Sequence, residues 1–236
     1  QLDQPRGLRP LRRIDRDAIV HLNVSAFDLM QRAAAAAFAL LRRRWPHARR
    51  IVLLAGIGNN GGDAFLLGLL ALNDGFAVEA IALPGQAAGD ALRARVAVAG
   101  AGGHIIEAEA TTPLPVADVI VDGLFGTGLA RPLQDIAAAL VGQVNASQWP
   151  VFALDVPSGL DADTGVQLGT AIHAQLTLSF VAWKRGLFTA DGADCCGVRE
   201  LDTLGLPHMA RDGVAADAEL LDASLAALLA PRRDNA

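Results

Sequence analysis

Apolar and polar positions follow two different periods along the chain. Short apolar runs without a polar interruption predict buried strands, and apolar residues spaced three or four apart predict helices. The predicted strands cover 51–55, 76–83, 104–106, 117–122, 151–154, 174–181 and 197–201. The predicted helices cover 8–22, 26–45, 64–72, 87–99, 133–144 and 218–229. Strands that alternate with helices in this way predict an α/β fold around a mostly parallel, doubly wound sheet.

The composition is that of a single α/β domain. The chain has 236 residues, of which 52% are apolar and 19% are charged, as expected for a sheet buried on both faces. Its formal net charge of −5 gives no electrostatic support for binding nucleic acid. The sequence contains no run of about 18 apolar residues that would predict a membrane span. We expect one domain over 1–230 and a linker over 231–236.

The two cysteines, Cys195 and Cys196, are neighbours in the sequence. Neighbouring cysteines rarely pair with each other, and these two show no spacing typical of a metal site. We therefore expect reduced thiols and a cytoplasmic location.

The first predicted strand leads into a glycine-rich segment, Gly56-Ile57-Gly58-Asn59-Asn60-Gly61, which fits the pattern G-x-G-x-x-G. Strand, glycine turn and helix together direct backbone N–H groups at a phosphate. Two features differ from an ordinary dinucleotide motif: the adjacent asparagines and Asp63, which we expect in the first helical turn. The alternative is a tight turn with an acid at a helix N-terminus.

A conventional NAD(P)-dependent oxidoreductase would need an acid at the end of the second strand, where it would bind the ribose hydroxyls. The candidate here, Glu79, falls in the middle of that strand, where we expect it to face solvent. The sequence therefore disfavours this class of enzyme.

Three oxygen-bearing side chains follow three different strands: Asn60, Asp122 and Ser158. Because the carboxyl ends of parallel strands meet at one edge of a sheet, these residues should lie together. Amide, carboxylate and hydroxyl oxygens suit a hard cation, and a single formal charge favours a monovalent one. The alternative is a polar network in which Asp122 accepts bonds from the N–H groups of the next loop.

Two further residues have side chains suited to chemistry. Asp155 follows the fifth strand and would face the same crevice beside Asp122, which makes it the candidate acid and base; the alternative is a structural turn. Lys184 is the only lysine in the chain. With Arg185 and Gly186 it could bind phosphate at the sheet edge, or it could be a solvated strand end.

Three motifs resemble those of the NAD(P)HX epimerase family, also called the YjeF N-terminal domain. They are GNNGGD at 58–63, VDGLFGTGLARPL at 121–133 and ALDVPSGLDADTG at 153–165, and the similarity extends over about 8–206. Ala64 departs from the pattern, because the family usually carries glycine there.

The resemblance implies a Rossmann-like three-layer αβα sandwich, a homodimer, and an isomerase that interconverts the R and S forms of hydrated NADH and NADPH at C6 of the nicotinamide ring. It implies potassium as the ion held by Asn60, Asp122 and Ser158, and places Asp155 near the reacting ring. The residues that would bind substrate are Asn59, Asn60, Gly61, Gly62, Asp63, Gly126, Thr127, Gly128, Leu129, Ala130, Arg131, Pro132 and Asp155.

The family also occurs as the first half of a two-domain enzyme whose second half is an ADP-dependent dehydratase. Residues 231–236 resemble the linker between the halves, so we expect this chain to be the epimerase half. Two alternatives remain open from the sequence: a non-catalytic nucleotide- or protein-binding scaffold, and the conventional oxidoreductase.

Overall fold

The structure, a computed structural model, describes residues 24–206. The predicted helices at 8–22 and 218–229 and the predicted linker at 231–236 lie outside the described residues.

Seven strands form one sheet in the described part of the chain, and every pair of neighbours is parallel. The strands are β1 Arg50–Ala55, β2 Ala77–Ala82, β3 His104–Glu107, β4 Val119–Gly123, β5 Val151–Leu154, β6 Leu176–Phe180 and β7 Val198–Asp202. Their order across the sheet is β3-β2-β1-β4-β5-β6-β7. The chain therefore reverses its direction of winding between β1 and β4, where doubly wound folds place their ligands.

The helices of the described chain are α1 Ala26–Arg44, α2 Asn59–Asn73, α3 Gly89–Gly100, α4 Asp135–Ala146 and the short α5 Gly192–Cys195. The spacing of Ser25 and Asp28 predicts a capping box at the start of α1, and this prediction is confirmed. The Ser25 hydroxyl accepts from the Asp28 N–H at 3.0 Å, and the Asp28 carboxylate accepts from the Ser25 N–H at 3.0 Å.

Both faces of the sheet are covered, so the predicted three-layer sandwich is confirmed. In β1 the residues at 51, 53 and 55 pack into the layer that contains α1, α2 and α3. The residues at 52 and 54 pack on the other face, against α4. This alternation follows from the two-residue period of a strand, and it explains why β1 has no buried polar position.

Helix α2 begins at Asn59, five residues earlier than the predicted start at 64. The sequence interpretation assigned the glycines of this segment to a turn, but Gly61 and Gly62 lie inside the helix. A β-carbon at Gly61 would lie 2.0 Å from the Gly56 carbonyl oxygen, so glycine is needed there for close packing. Asp63 consequently lies in the second helical turn, and the prediction that placed it in the first turn is wrong.

The prediction for Glu79 is confirmed, since it pairs in register with Val52 in mid-strand and its side chain is 44% exposed. None of the helices described in residues 24–206 is both long and apolar enough to cross a membrane.

Candidate active site

A cleft of about 620 Å³ opens at the carboxyl ends of β1, β4, β5 and β6. The predicted convergence of three loops at one sheet edge is confirmed, because residues from each loop line this cleft. The predicted binding residues among its lining are Asn59, Asn60, Asp63, Gly126, Thr127, Gly128, Leu129 and Asp155.

Five predicted binding residues do not line the cleft. Gly61 and Gly62 are buried in the first turn of α2, against Gly56 and Met30. Because they have no side chain, the first turn of α2 can pack closely against these two residues. Ala130, Arg131 and Pro132 are exposed on the loop after β4. A contact between this loop and substrate stays a prediction.

Asn60 connects the first loop to the third. Its side-chain nitrogen donates to the Leu154 carbonyl oxygen at the end of β5 at 3.2 Å. Its side-chain oxygen is buried and has no hydrogen-bond partner among the described residues. A buried acceptor without a partner is unfavourable by about 1–3 kcal/mol, so this oxygen fits a site that a ligand completes.

Asp122 connects the second loop to the third and is fully buried. Its Oδ2 accepts from the Ser158 N–H at 2.8 Å, and its Oδ1 accepts from the Ser158 hydroxyl at 2.6 Å and the Leu124 N–H at 3.2 Å. Burial raises the pKa of the Asp122 carboxyl to about 6, although these hydrogen bonds act in the opposite direction. The polar network offered as an alternative to a cation site is therefore present.

The same residues also fit a cation. No basic side chain among residues 24–206 forms an ion pair with Asp122, so its charge has no counter-ion from this part of the chain. A carboxylate has about four lone-pair sites, and three hydrogen bonds leave one for a ligand. The network and a bound ion are thus compatible. A group of three or more His, Cys, Asp or Glu side chains that could hold a metal ion is not found in the described residues.

Asp155 occupies a strained position at the end of β5. Its φ is +66°, and the N–H of Val156 donates across it to the Leu154 carbonyl oxygen at 2.8 Å. These features define a γ-turn of the rare, strained kind. The Asp155 N–H still donates to Leu178 of β6 at 2.8 Å, so the residue remains attached to the sheet. Strained backbone of this kind clusters at functional sites.

Lys184 is the partner of Asp155. Its ammonium group forms an ion pair with the Asp155 Oδ1 and donates to the Phe180 carbonyl oxygen at 2.6 Å. Only 5% of the Lys184 side chain is exposed, so the interpretation of this residue as a solvated strand end is wrong. The loop after β6 is therefore a fourth contributor to the cleft; the sequence offered Lys184 for phosphate binding at this edge but did not predict its pairing with Asp155. The available signal was the presence of a single lysine in a chain of 236 residues.

The loop after β4 passes close to the carboxylate of Asp155. A β-carbon at Gly126 would lie 3.1 Å from Asp155 Oδ2 and 3.5 Å from Asn60 Cγ. Glycine at this position therefore leaves open space beside the second oxygen of the carboxylate. The parallel sheet, the switch point and this cleft define an α/β protein of the Rossmann-like class with a candidate ligand site at the sheet edge.

Comparison with known proteins identifies the family within that class. The chain belongs to the family described as YjeF-related protein N-terminus (YjeF_N), which matches residues 26–186. The NAD(P)H-hydrate epimerase of Achromobacter xylosoxidans is 44% identical over 81% of this chain and 92% of its own length.

Longer relatives contain a similar sequence over part of their length. The bifunctional NAD(P)H-hydrate repair enzyme Nnr of Coxiella burnetii is 37% identical over 98% of this chain, and that of Escherichia coli is 39% identical over 83%. The match spans only 47% and 38% of these two proteins. Among solved structures, yeast ynu0 matches with a TM-score of 0.68 and 18% identity, over 75% of this chain and 80% of that one. That likeness supports the fold.

Proposed function

We propose that this protein is an isomerase that interconverts the R and S forms of hydrated NADH and NADPH at C6 of the nicotinamide ring. Relatives that bear the name NAD(P)H-hydrate epimerase support this activity. The observation that carries the proposal is the position of Asp155. It lies in the wall of the cleft, with one carboxylate oxygen paired to Lys184 and the other facing Gly126.

Asp155 performs the proton transfers of the reaction. Carbon C6 of the hydrated ring bears a hydroxyl group and adjoins the ring nitrogen. Proton donation to that hydroxyl lets it leave as water while the nitrogen lone pair forms a planar iminium ion. Water then adds to either face of the ring, and its proton returns to the carboxylate. Acid–base catalysis of this kind contributes about 10²–10⁴-fold to a rate.

The start of α2 and the loop after β4 hold the rest of the substrate. The first N–H groups of α2, at Asn59 and Asn60, have no carbonyl partner within the helix, and both residues line the cleft, so they suit a phosphate group. Gly126–Leu129 form the opposite wall. This arrangement accepts a dinucleotide without the strand-two acid of a conventional dehydrogenase.

Potassium is the ion that best fits Asn60, Asp122 and Ser158. The partnerless Asn60 oxygen and the buried Asp122 carboxylate without a counter-ion support a cation, and one negative charge favours a monovalent ion. A bound cation there would offset the charge of Asp122 and join the three loops.

Replacement of Asp155 with Asn tests the activity. We expect R-to-S conversion, followed by chiral separation, to fall by about 10²-fold or more because Asn cannot transfer the proton. The matched control is Asp118→Asn, which removes another ion-paired acid at the opposite edge of the sheet and should leave turnover unchanged. Unchanged turnover in Asp155→Asn would remove this residue from the mechanism.

Thermal unfolding with hydrated NADPH tests the ion. We expect the stabilisation by substrate to increase with potassium concentration, and to lose this dependence in Asp122→Asn. Equal shifts in potassium and in a choline salt would contradict a potassium site. Stabilisation without any epimerisation would instead favour the scaffold alternative, and a change in reduced-nicotinamide absorbance with alcohols would favour an oxidoreductase.

The predicted homodimer and the second, dehydratase domain belong to the same proposal. The two bifunctional relatives are more than twice as long as their match to this chain, which supports a further domain in proteins of that kind. Light scattering on the purified protein measures the oligomeric state.

A further inference from the structure

Lys184 contacts two different groups in the cleft. Its ammonium group pairs with Asp155 Oδ1 and donates to the Phe180 carbonyl oxygen at 2.6 Å. The Phe180 N–H also points at Asp155 Oδ1, at 3.4 Å. Asp155, Phe180 and Lys184 therefore form a closed set of contacts at the end of β6.

These contacts make the two oxygens of Asp155 unequal. Oδ1 faces the ammonium group and the Phe180 N–H, whereas Oδ2 lies beside Gly126, where no side chain fills the space. A carboxylate held through one oxygen is fixed in rotation as well as in position. The second oxygen is then directed towards Gly126, which also lines the cleft.

Backbone geometry holds both ends of this pair. Asp155 ends β5 in a γ-turn, and Val181 ends the adjacent β6 in a second one. The φ of Val181 is +67°, and the Ala182 N–H donates across it to the Phe180 carbonyl oxygen at 2.7 Å. Left-handed backbone at a β-branched residue is unfavourable and persists only where surrounding structure enforces it. Two strained turns on neighbouring strands thus bring the lysine and the aspartate together.

We propose that Lys184 is the positioning residue for the epimerase reaction: it holds Asp155 Oδ1 so that Oδ2 is the oxygen that transfers the proton. This inference rests on the proposed function. Lys184 acts through Asp155, so its loss should lower the rate of the chemical step while the substrate still binds. A lysine that only balanced charge for folding would affect stability and leave the turnover of the folded protein unchanged.

The test compares Lys184→Met, Lys184→Gln and the double variant Asp155→Asn/Lys184→Met by steady-state epimerisation of hydrated NADPH. For Lys184→Met we expect kcat to fall by about 10–100-fold because the carboxylate loses its alignment, with KM within about threefold of the unaltered protein. Lys184→Gln retains a hydrogen-bond donor and should lose less. Asp155→Asn/Lys184→Met should be no slower than Asp155→Asn alone, since nothing is left to position.

Arg50→Met is the matched control. It also removes the cationic partner of an aspartate, Asp118, at the edge of the sheet away from the cleft. If Lys184→Met does not fold, Lys184→Gln and the double variant allow the same comparison of kcat. The double variant leaves no unpaired buried carboxylate, so it should fold.

Three outcomes would overturn the positioning role. They are an unchanged kcat and KM in Lys184→Met, a raised KM at unchanged kcat in that variant, and a full additional loss of rate when Lys184→Met is added to Asp155→Asn. The second outcome would make Lys184 a substrate ligand. Absence of R-to-S conversion by the unaltered protein is a separate result, which would refute the proposed function and this inference with it.

Discussion

Replacement of Gly126 with alanine adds one methyl group at the centre of the cleft. That methyl would lie 3.1 Å from Asp155 Oδ2 and 3.5 Å from Asn60 Cγ. The backbone of Gly126 is not in the left-handed region, so alanine can adopt its conformation. The perturbation is therefore steric and local.

The magnitude follows from the distance to the carboxylate. A group that exchanges a proton with Oδ2 must approach it to about 2.6–3.2 Å, and the methyl carbon would occupy part of that space. The substrate hydroxyl would then be displaced by about 1 Å, which costs about 10²-fold in rate. Stability should change by less than about 1 kcal/mol, because the neighbouring atoms need to move by only a few tenths of an ångström and alanine restricts the unfolded chain.

The assay follows conversion of the R form of hydrated NADPH to the S form by chiral chromatography, alongside thermal unfolding of the same preparation. Gly142→Ala is the control, because a β-carbon at Gly142 of α4 would have no neighbour within 4 Å. We expect Gly142→Ala to retain full activity. If Gly126→Ala turned over at the rate of the unaltered protein, the reacting group would not lie between Gly126 and Asp155, and the assignment of Oδ2 as the active oxygen would be refuted.

Two further predictions concern stability. Asp118 accepts hydrogen bonds from the Arg50 side chain and from the Arg49 and Arg50 N–H groups, which lowers its pKa to about 2. Because the pKa of Asp118 is lower in the folded than in the unfolded protein, its ionised form stabilises the fold. That stabilisation is complete above about pH 4 and is lost as the pH falls towards 2. Asp118→Asn should therefore lower the unfolding free energy by about 1 kcal/mol at pH 7, after allowance for solvent screening, and the difference should disappear near pH 2 in urea titrations; a pH-independent difference would contradict the ion pair. Gly56→Ala should destabilise the fold by more than about 2 kcal/mol, because the added β-carbon would lie 1.9 Å from the Leu124 carbonyl oxygen. Gly142→Ala, in the middle of α4 with open space around its β-carbon, should instead stabilise the fold by about 0.5–1 kcal/mol. Similar melting temperatures for the two variants would refute this difference.

The central strands of the sheet were predictable from the sequence because they are buried on both faces. The uninterrupted apolar run at 151–154 coincides with β5 at both ends. The start of α2 was not predictable in the same way. Local propensity assigns consecutive glycines to a turn, but here they lie inside a helix, where close contacts with Gly56 and Met30 leave no room for a β-carbon. A contact between separate segments overrode the local preference.

The same distinction applies to the site. Asn60, Asp122 and Asp155 lie at or just beyond the carboxyl ends of β1, β4 and β5, so the parallel sheet alone places them at one edge. Lys184 lies four residues beyond the end of β6, and its side chain reaches the cleft only because the chain turns sharply at Val181. A left-handed valine has no signature in the sequence, since this conformation is unfavourable for that residue type. The pairing of Lys184 with Asp155 therefore required the structure.

The hydrogen bond from the Asp155 N–H to Leu178 also bears on how sensitive this acid is to changes in the loop that follows it. An acid attached to the sheet by its own backbone does not depend on the length or composition of the loop that follows it. Changes at an exposed position of that loop, such as Thr164, should therefore leave the Asp155 carboxylate in its place. Under the proposed function, substrate selectivity can thus change in the loops without renewed selection for the geometry of Asp155.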